Sequence, residues 1–195
     1  MKGKFVVIEG ISGVGKTTTL KEIIGLIHRC DVVYSKGFVK DSKWQYWIYN
    51  HPHAFTYYLD LAIYTAMKLK PLLRKGTVVL QDRYIYTIDS LLPDCEWKHN
   101  KLLRKIVYPF FLQPAIYIHI TADLDEVTQR LSKYAEDEYH LNLVAHPEIQ
   151  MRREEKYMQI YNKIACPKYI LDTSRKKPIE CAHELIEIFH KEHIC

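Results

Sequence analysis

A phosphate-binding loop stands near the start of this chain, where residues Gly10 to Thr17 read G-I-S-G-V-G-K-T. The pattern fits G-x-x-x-x-G-K-[ST] at every defined position. The apolar run at 5–8 precedes it as a predicted strand, and an amphipathic segment at 18–24 follows it as a predicted helix. In that setting the backbone N–H groups of the loop converge on phosphate oxygens at a helix N-terminus. We therefore expect an α/β domain that binds a nucleoside triphosphate.

The loop assigns separate roles to its side chains. Lys16 is expected to reach the β- and γ-phosphates, and the Thr17 hydroxyl is expected to ligate Mg²⁺. The other predicted contacts to the triphosphate are Gly10, Ile11, Ser12, Gly13, Val14, Gly15 and Thr18.

Apolar runs and helical segments alternate along the rest of the chain. Strands are predicted at 31–35, 77–81, 115–120 and 168–171, and helices at 53–74, 96–108, 123–131, 148–165 and 178–191. The alternation predicts a single α/β domain over 1–195, with a doubly wound parallel sheet and helices on both faces. Pro71 is expected to kink the first of these helices or tighten its last turn, and Gly76 is expected to end it. The polar segment 132–147 predicts a loop that acts as a lid.

The composition narrows the class of protein. The net charge of +5 is modest and no block of basic residues occurs, which favours a small polyanionic ligand over a stable nucleic-acid partner. The five cysteines are scattered without C-x-x-C spacing and predict reduced thiols in a cytosolic protein. No apolar run approaches the roughly eighteen residues of a membrane span. We expect a cytoplasmic protein without a membrane partner.

A second motif, Asp82-Arg83-Tyr84, follows the predicted strand at 77–81. Ligands bind at the carboxyl ends of strands in parallel sheets. If this strand adjoins the loop-bearing strand, Asp82 can hold Mg²⁺ or orient a nucleophile, and Arg83 can grip a phosphate through two parallel hydrogen bonds. The alternative is a purely structural ion pair at the strand end.

These segments together resemble the thymidylate kinases. The opening F-V-V-I-E-G-I-S-G-V-G-K-T-T and the later V-V-L-Q-D-R-Y are similar to the family's first and third strands. Q-P-A-I-Y-I-H-I-T-A-D-L-D-E-V-T-Q-R-L, M-R-R-E-E-K-Y and Y-I-L-D-T-S are similar to its fourth strand, its post-lid helix and its last strand. The resemblance covers the chain from Lys4 to Phe189. It implies a five-stranded phosphate-loop kinase fold, γ-phosphoryl transfer from ATP to dTMP in nucleotide biosynthesis, and a homodimer.

The resemblance also implies roles for individual residues. Arg130 and Thr173 are expected on the ATP side. The loop and the segment 132–147 contain no arginine for the γ-phosphate. Arg152 matches the family's arginine on the post-lid helix and is expected to be catalytic with Lys16, Asp82 and Arg83; Arg130 and Arg153 are the alternatives. The residues expected to bind the acceptor are Glu9, Ser12, Lys36, Phe38, Arg83, Tyr84 and Thr87.

The acceptor side departs from the family pattern. Ser12 stands where the family has Asp, and Lys36-Gly37-Phe38 stands in place of Arg-Glu-Pro. Leu61 replaces an arginine on the long helix, and the polar residues that read the base are here Ile85-Tyr86-Thr87. The identity of the acceptor therefore stays open.

Two other functions stay open with it. A deoxynucleoside kinase would phosphorylate a 5′-hydroxyl and would need a general base, for which Glu9 and Asp82 are the candidates. A nucleotide-binding module without kinase activity would explain the acceptor-side losses. Against it stand four intact residues: Lys16, Thr17, Asp82 and Arg83. A GTPase is disfavoured because the N-K-x-D signature is absent; the segment 162–165 reads N-K-I-A.

Overall fold

The computed structural model describes residues 3–27, 30–37, 54–91, 105–134 and 137–194, and the structural statements below refer to these. The strands are β1 Phe5–Glu9, β2 Val32–Lys36, β3 Val78–Asp82, β4 Ile116–Thr121 and β5 Lys168–Asp172. The helices are α1 Lys16–Leu26, α2 Ala54–Tyr64, α3 Lys70–Lys75, α4 Ile85–Leu91, α5 Leu124–Tyr134, α6 Glu138–Ala145, α7 Pro147–Lys163 and α8 Pro178–Lys191. A π-helical turn, Thr65–Leu69, joins α2 to α3, and a short 3-10 turn, Tyr108–Phe110, precedes β4.

The five strands form one all-parallel sheet in the order β2-β3-β1-β4-β5. The predicted doubly wound sheet is therefore confirmed. Strand β1 is central, so the phosphate loop leaves the middle of the sheet at its carboxyl edge. Strand β3 lies beside it, with Ile8 paired to Asp82, and this register brings the two sequence motifs together.

Each face of the sheet has its own apolar cluster, because the side chains of a strand alternate between its faces. The α1 face packs against α1 and α8 and includes Val6, Ile8, Leu20, Leu80, Leu185 and Phe189. The α2 face packs against α2, α3 and α4 and includes Phe5, Val7, Leu61, Leu73, Val79 and Ile88. Every residue of β1 and β3 is buried, as expected for strands covered on both sides.

The long helix predicted at 53–74 is present as α2, the π turn and α3. Gly76 ends it in the left-handed conformation, with φ 98°, and donates to the Leu73 carbonyl. Pro71 lies within the helix, and the distortion is the π turn just before it. Proline lacks an N–H and its ring crowds the preceding turn, so the backbone there widens.

The prediction of a loop at 132–147 is wrong. Helix α5 continues to Tyr134, α6 follows, and Pro147 opens α7. Asp137 caps α6 by accepting a hydrogen bond from the His140 N–H at 2.8 Å, and Leu143 is buried beneath the helix. With Leu143 as its one buried residue, this eight-residue helix has too weak a periodicity to read from sequence. The lid function of this segment stays a prediction.

The remaining helix predictions are largely confirmed. Helix α8 has the predicted bounds, and α7 starts one residue earlier and ends two residues earlier than predicted. Most of the helix predicted at 96–108 lies outside the described residues. Its described end is helical at 105–107, and Pro109 then lies inside the 3-10 turn.

The prediction of five reduced thiols is wrong for Cys30, which is disulfide-bonded, whereas Cys166 and Cys181 are free thiols. Sequence spacing does not tell which cysteines meet in space, and this is why the prediction failed. Over the described ranges, no helix is long and apolar enough to cross a membrane.

Candidate active site

The phosphate loop lies against the neighbouring strand and helix so closely that glycine is required. Gly10 has φ 146°, and a Cβ there would lie 2.2 Å from the Ile120 carbonyl oxygen of β4. Gly15 has φ 86° and precedes α1 directly. The typical geometry of such loops, with N–H groups gathered at a helix N-terminus, therefore follows from the local sequence.

Lys16 is buried at the mouth of this loop. Its Nζ donates to the Gly10 and Ile11 carbonyls at 2.9 and 2.7 Å. Burial and the positive charge of nearby Arg83 lower the pKa of Lys16 well below its usual value, and the Asp82 and Glu9 carboxylates oppose that shift. The ammonium is therefore held by backbone dipoles at the position expected to meet the phosphates.

Asp82 and Thr17 meet as the sequence predicted. Asp82 is 1% exposed, and its Oδ2 accepts hydrogen bonds from Thr17 Oγ1 at 3.0 Å and from the Tyr34 hydroxyl at 3.1 Å. Its Oδ1 is buried without a hydrogen-bond partner among the described residues. A buried carboxylate oxygen with no donor, beside a threonine hydroxyl, suits a hard divalent cation, so these residues fit Mg²⁺.

A cavity of about 380 Å³ opens above these groups. It is bounded by the phosphate loop, the carboxyl ends of β2 and β3, and the helices α5 and α6. Its lining residues are Ser12, Gly13, Gly15, Lys16, Thr17, Thr18, Lys36, Asp82, Arg83, Arg130, Leu131, Tyr134 and His140.

Arg83 projects into this cavity from an unusual backbone conformation. Its φ is 69°, in the left-handed region that residues with a Cβ seldom adopt. Its guanidinium Nη2 donates to Ser12 Oγ at 3.2 Å, and its backbone N–H donates to the Ile8 carbonyl at 3.0 Å. The guanidinium therefore shares the cavity with Lys16 and Asp82, as predicted from the second motif.

Glu9 lies beneath the cavity and is fully buried. Its Oε1 accepts from the Tyr84 N–H at 2.7 Å, and its Oε2 accepts from Thr87 Oγ1 at 2.6 Å and the Tyr157 hydroxyl at 3.2 Å. Desolvation raises the pKa of Glu9 to about 7, although these hydrogen bonds and the nearby cations oppose the shift. Glu9 and Thr87 are thus each other's partners and do not line the cavity.

Tyr84 does not reach the cavity, which corrects its expected role in acceptor binding. Its side chain is fully buried, with edge-on ring contacts to Phe5 at 5.0 Å and Phe111 at 5.9 Å. Its hydroxyl accepts a hydrogen bond from the Leu112 N–H at 3.0 Å. The chain turns into α4 immediately after Arg83, and this turn directs Tyr84 into the α2 face.

Helix α7 presents an inward row of polar side chains. Gln150 donates to the Ser12 carbonyl at 2.8 Å, Arg153 Nη1 donates to the Tyr139 hydroxyl at 2.7 Å, and Tyr157 reaches Glu9. Arg153 is 5% exposed, whereas Arg152 is exposed. Helix α7 thus turns Arg153, and not the predicted Arg152, toward the interior, since one residue is about 100° around a helix. The catalytic role of an arginine on α7 stays a prediction.

The predicted ATP-side pair comes together behind the loop. Arg130 donates from Nη1 to Thr173 Oγ1 at 3.0 Å and from Nη2 to the Thr173 carbonyl at 2.9 Å. Thr173 Oγ1 in turn donates to the Val14 carbonyl at 2.9 Å. Glu126 also accepts from Arg130, so the guanidinium is fixed beside the loop.

Sequence reasoning missed several groups at the site. Tyr34 shares a face of β2 with Lys36, and strand alternation alone would have indicated it. Tyr134 and His140 were hidden in the segment predicted as a loop. Lys36 lines the cavity as predicted and is exposed; Phe38 lies outside the described residues.

Several known proteins are similar to this chain. No protein-family model matches the chain. A probable thymidylate kinase 2 of Saccharolobus solfataricus is 24% identical over 187 residues, covering 85% of this chain and 84% of the relative. Thymidylate kinases from Baumannia cicadellinicola (29% over 99 residues) and Staphylothermus marinus (probable; 31% over 94) align with 43% and 44% of this chain. The chain spans about half the length of these two relatives, 47% of each.

A solved thymidylate kinase structure, from Candida albicans, superposes with a TM-score of 0.76 at 17% identity and covers 98% of this chain and 93% of the other. The fold is that of a thymidylate kinase. The family resemblance predicted from the sequence is thereby confirmed.

Proposed function

We propose that this protein is a thymidylate kinase, which transfers the γ-phosphoryl group of ATP to dTMP and yields ADP and dTDP for deoxynucleotide synthesis. One observation carries the proposal. In a thymidylate kinase fold, Lys16, the Thr17–Asp82 pair and Arg83 converge on a single cavity at the carboxyl ends of β1 and β3. Such convergence suits a reaction that depends on positioning and on electrostatic stabilisation.

Different side chains would bind the phosphoryl donor, ATP, and the phosphoryl acceptor. The loop N–H groups and Lys16 would bind the ATP phosphates. Thr17 Oγ1 and Asp82 Oδ1 would hold Mg²⁺, which when bound neutralises charge on the phosphate oxygens. Arg83 would grip the acceptor phosphate and so align it with the γ-phosphoryl group.

The charges around the cavity favour a phosphate acceptor over a 5′-hydroxyl. A hydroxyl needs a base within hydrogen-bond reach, yet Glu9 is buried outside the cavity with both oxygens engaged by donors. Asp82 Oδ2 already accepts from Thr17 and Tyr34, and its Oδ1 would hold Mg²⁺. An acceptor phosphate is itself ionised and needs chiefly positive charge, which Lys16, Lys36 and Arg83 supply.

Arg153 is the arginine that we assign to the transferring phosphate. It is buried, and its positive charge contributes to the lowered pKa of Lys16, so the two cations lie near one another. Arg130 is held against Thr173 on the other side of the loop and suits the adenine side of ATP.

The assembly and location follow from the same proposal. We propose a homodimer in the cytoplasm that acts on small-molecule nucleotides, with 132–147 as the lid. The location rests on the resemblance to the thymidylate kinases, because the disulfide of Cys30 removes the argument from reduced thiols. Four apolar side chains on the long helix support the dimer, since they recur every four residues and are all exposed: Phe55, Leu59, Ile63 and Met67. A stripe of this kind suits burial against a second copy of the chain.

The decisive test is an assay of ADP formation with ATP, Mg²⁺ and a panel of nucleosides and nucleoside monophosphates. We expect dTMP to give a higher kcat/KM than thymidine. If thymidine is the better substrate, the protein is a deoxynucleoside kinase. If ATP binds by calorimetry but no acceptor supports turnover, the protein is a nucleotide-binding module.

A further inference from the structure

The side chains of Gln81 and Asp82, the last two residues of β3, point to opposite faces of the sheet. Asp82 points to the α1 face, where it meets Thr17 of the phosphate loop. Gln81 points to the α2 face, which it shares with Val79, and it is completely buried there. A buried glutamine needs partners for both ends of its amide. The hydrogen-bond partners of Gln81 extend away from the phosphate loop.

A directed chain of hydrogen bonds runs through Gln81. Its Nε2 donates to the Arg83 carbonyl at 2.8 Å, and its Oε1 accepts from Ser35 Oγ at 2.7 Å. Because Ser35 uses its one proton on Gln81, its oxygen must accept the short hydrogen bond from the Tyr64 hydroxyl. The Arg83 carbonyl fixes the amide orientation, because it can only accept, and a flipped amide would set the Gln81 oxygen against it.

The carbonyl that Gln81 holds belongs to a strained residue. Arg83 has φ 69°, and such a conformation persists in a residue with a Cβ only when its surroundings impose it. The Ile8 carbonyl binds the Arg83 N–H on one side, and Gln81 binds the Arg83 carbonyl on the other. Gly37 closes against the same carbonyl, where an added Cβ would lie 2.4 Å from the oxygen.

We infer that Gln81 is a positioning residue for Arg83, and that Tyr64 and Ser35 orient Gln81 for this task. The end of α2 thereby sets the direction in which the guanidinium meets the acceptor phosphate. This inference rests on the proposed function, because it assigns the acceptor phosphate to Arg83. Gln81 itself acts only through the backbone of Arg83.

The test measures the binding of dTMP and of thymidine to the full chain by calorimetry, without ATP. Gln81→Glu replaces the donor facing the Arg83 carbonyl with an oxygen at nearly constant size, and Gln81→Leu removes the amide. We expect either variant to weaken dTMP binding roughly tenfold, the loss of one hydrogen bond to a charged group, while thymidine binding changes less than twofold. A merely structural role would weaken both ligands alike.

Tyr64→Phe and Tyr161→Phe form a matched pair at half-buried tyrosines. Tyr64→Phe removes the first hydroxyl of the chain, and Tyr161→Phe removes a hydroxyl that donates to the Lys168 carbonyl, away from the cavity. Only Tyr64→Phe should lower the ratio of dTMP to thymidine affinity. This pair tests the inference even if the Gln81 variants fail to fold.

A double-mutant cycle with Arg83→Lys completes the experiment. If Gln81 acts through Arg83, Gln81→Glu should cost no further dTMP affinity in the Arg83→Lys background. Additive losses, or an unchanged dTMP-to-thymidine ratio in folded Gln81 and Tyr64 variants, would overturn the inference. A wild-type protein that binds and phosphorylates thymidine better than dTMP would instead overturn the proposed function.

Discussion

Asp82 and Gln81 are adjacent in sequence, but the two faces of the sheet that they serve are organised differently. On the α1 face a short stretch of chain, the phosphate loop, provides the backbone turns, Lys16 and Thr17. On the α2 face the polar groups come from distant positions; Tyr64 and Ser35 are 29 residues apart, and Ser35 and Gln81 are 46 apart. The proposed donor side thus takes most of its groups from one contiguous motif, with Asp82 added across 65 residues, whereas the hydrogen bonds of Tyr64, Ser35 and Gln81 are all tertiary contacts.

The largest effect is expected from removing the charge on the locally encoded side. Lys16→Ala should lower kcat about 10²- to 10³-fold, the usual cost of losing one preorganised electrostatic group at a reacting centre. Steady-state kinetics with saturating ATP and dTMP would measure it. Lys21→Ala, at an exposed position on the same helix, is the control. Near wild-type turnover in Lys16→Ala would contradict the role of the loop.

A stability effect should appear on the α2 face, where Glu9 lies. Its pKa is raised from 4.5 to about 7, so the folded state binds a proton that the unfolded state has already lost between these values. Stability should therefore fall by about 3 kcal/mol as pH rises from about 4.5 to about 7. Glu9→Gln, which imitates the protonated group, should lack this fall.

Urea denaturation of wild type and Glu9→Gln at pH 5 and pH 8 would measure this change in the free energy of unfolding. The contributions of the other titrating groups are the same in both proteins and cancel in the comparison. We expect the free energy of unfolding of Glu9→Gln, relative to that of wild type, to increase from pH 5 to pH 8. Parallel losses in both proteins would show that Glu9 does not carry the proton.

A smaller kinetic effect distinguishes two neighbouring arginines of α7. Arg153→Ala should lower kcat roughly 10- to 100-fold, in line with the loss of a hydrogen-bonding charge from a buried position. Arg152→Ala should stay within about twofold, as expected for an exposed surface residue. ATP affinity, measured by calorimetry, should change little in either variant. If Arg152→Ala lowers kcat more than Arg153→Ala, the role at the transferring phosphate belongs to Arg152, and the segment 132–147 must close over the site differently.

The smallest effect concerns the exposed charge at the cavity rim. Lys36→Ala should raise the KM for dTMP about two- to fivefold, because an exposed ion pair contributes at most about 1 kcal/mol. The difference from wild type should shrink as salt is added, since an exposed pair is screened. A salt-independent loss larger than tenfold would mean that Lys36 is desolvated when the acceptor binds.

The division between contiguous motifs and tertiary contacts also separates the features that the sequence predicted from those that it did not. The parallel sheet and its loop-bearing strand were predictable, because hydrophobic periodicity and a contiguous motif encode them. The meeting of Thr17 with Asp82 was predicted only on the condition that their two strands adjoin, and the strand order fulfils that condition. The role of Tyr84 was not, since the direction of a side chain after a strand depends on the turn that follows. The choice between Arg152 and Arg153 depended on the rotation of α7, which the packing of Gln150 and Tyr157 determines.

The close approach of Gly37 to the Arg83 carbonyl also limits which residues position 37 can hold. The family resemblance aligns Gly37 with a glutamate, yet here even a Cβ would lie 2.4 Å from that oxygen. A side chain at position 37 would therefore displace the Arg83 carbonyl and, with it, the strained backbone that aims the guanidinium. Position 37 and the end of β3 are thus coupled, and a larger residue at 37 has to be accommodated by a change around Arg83.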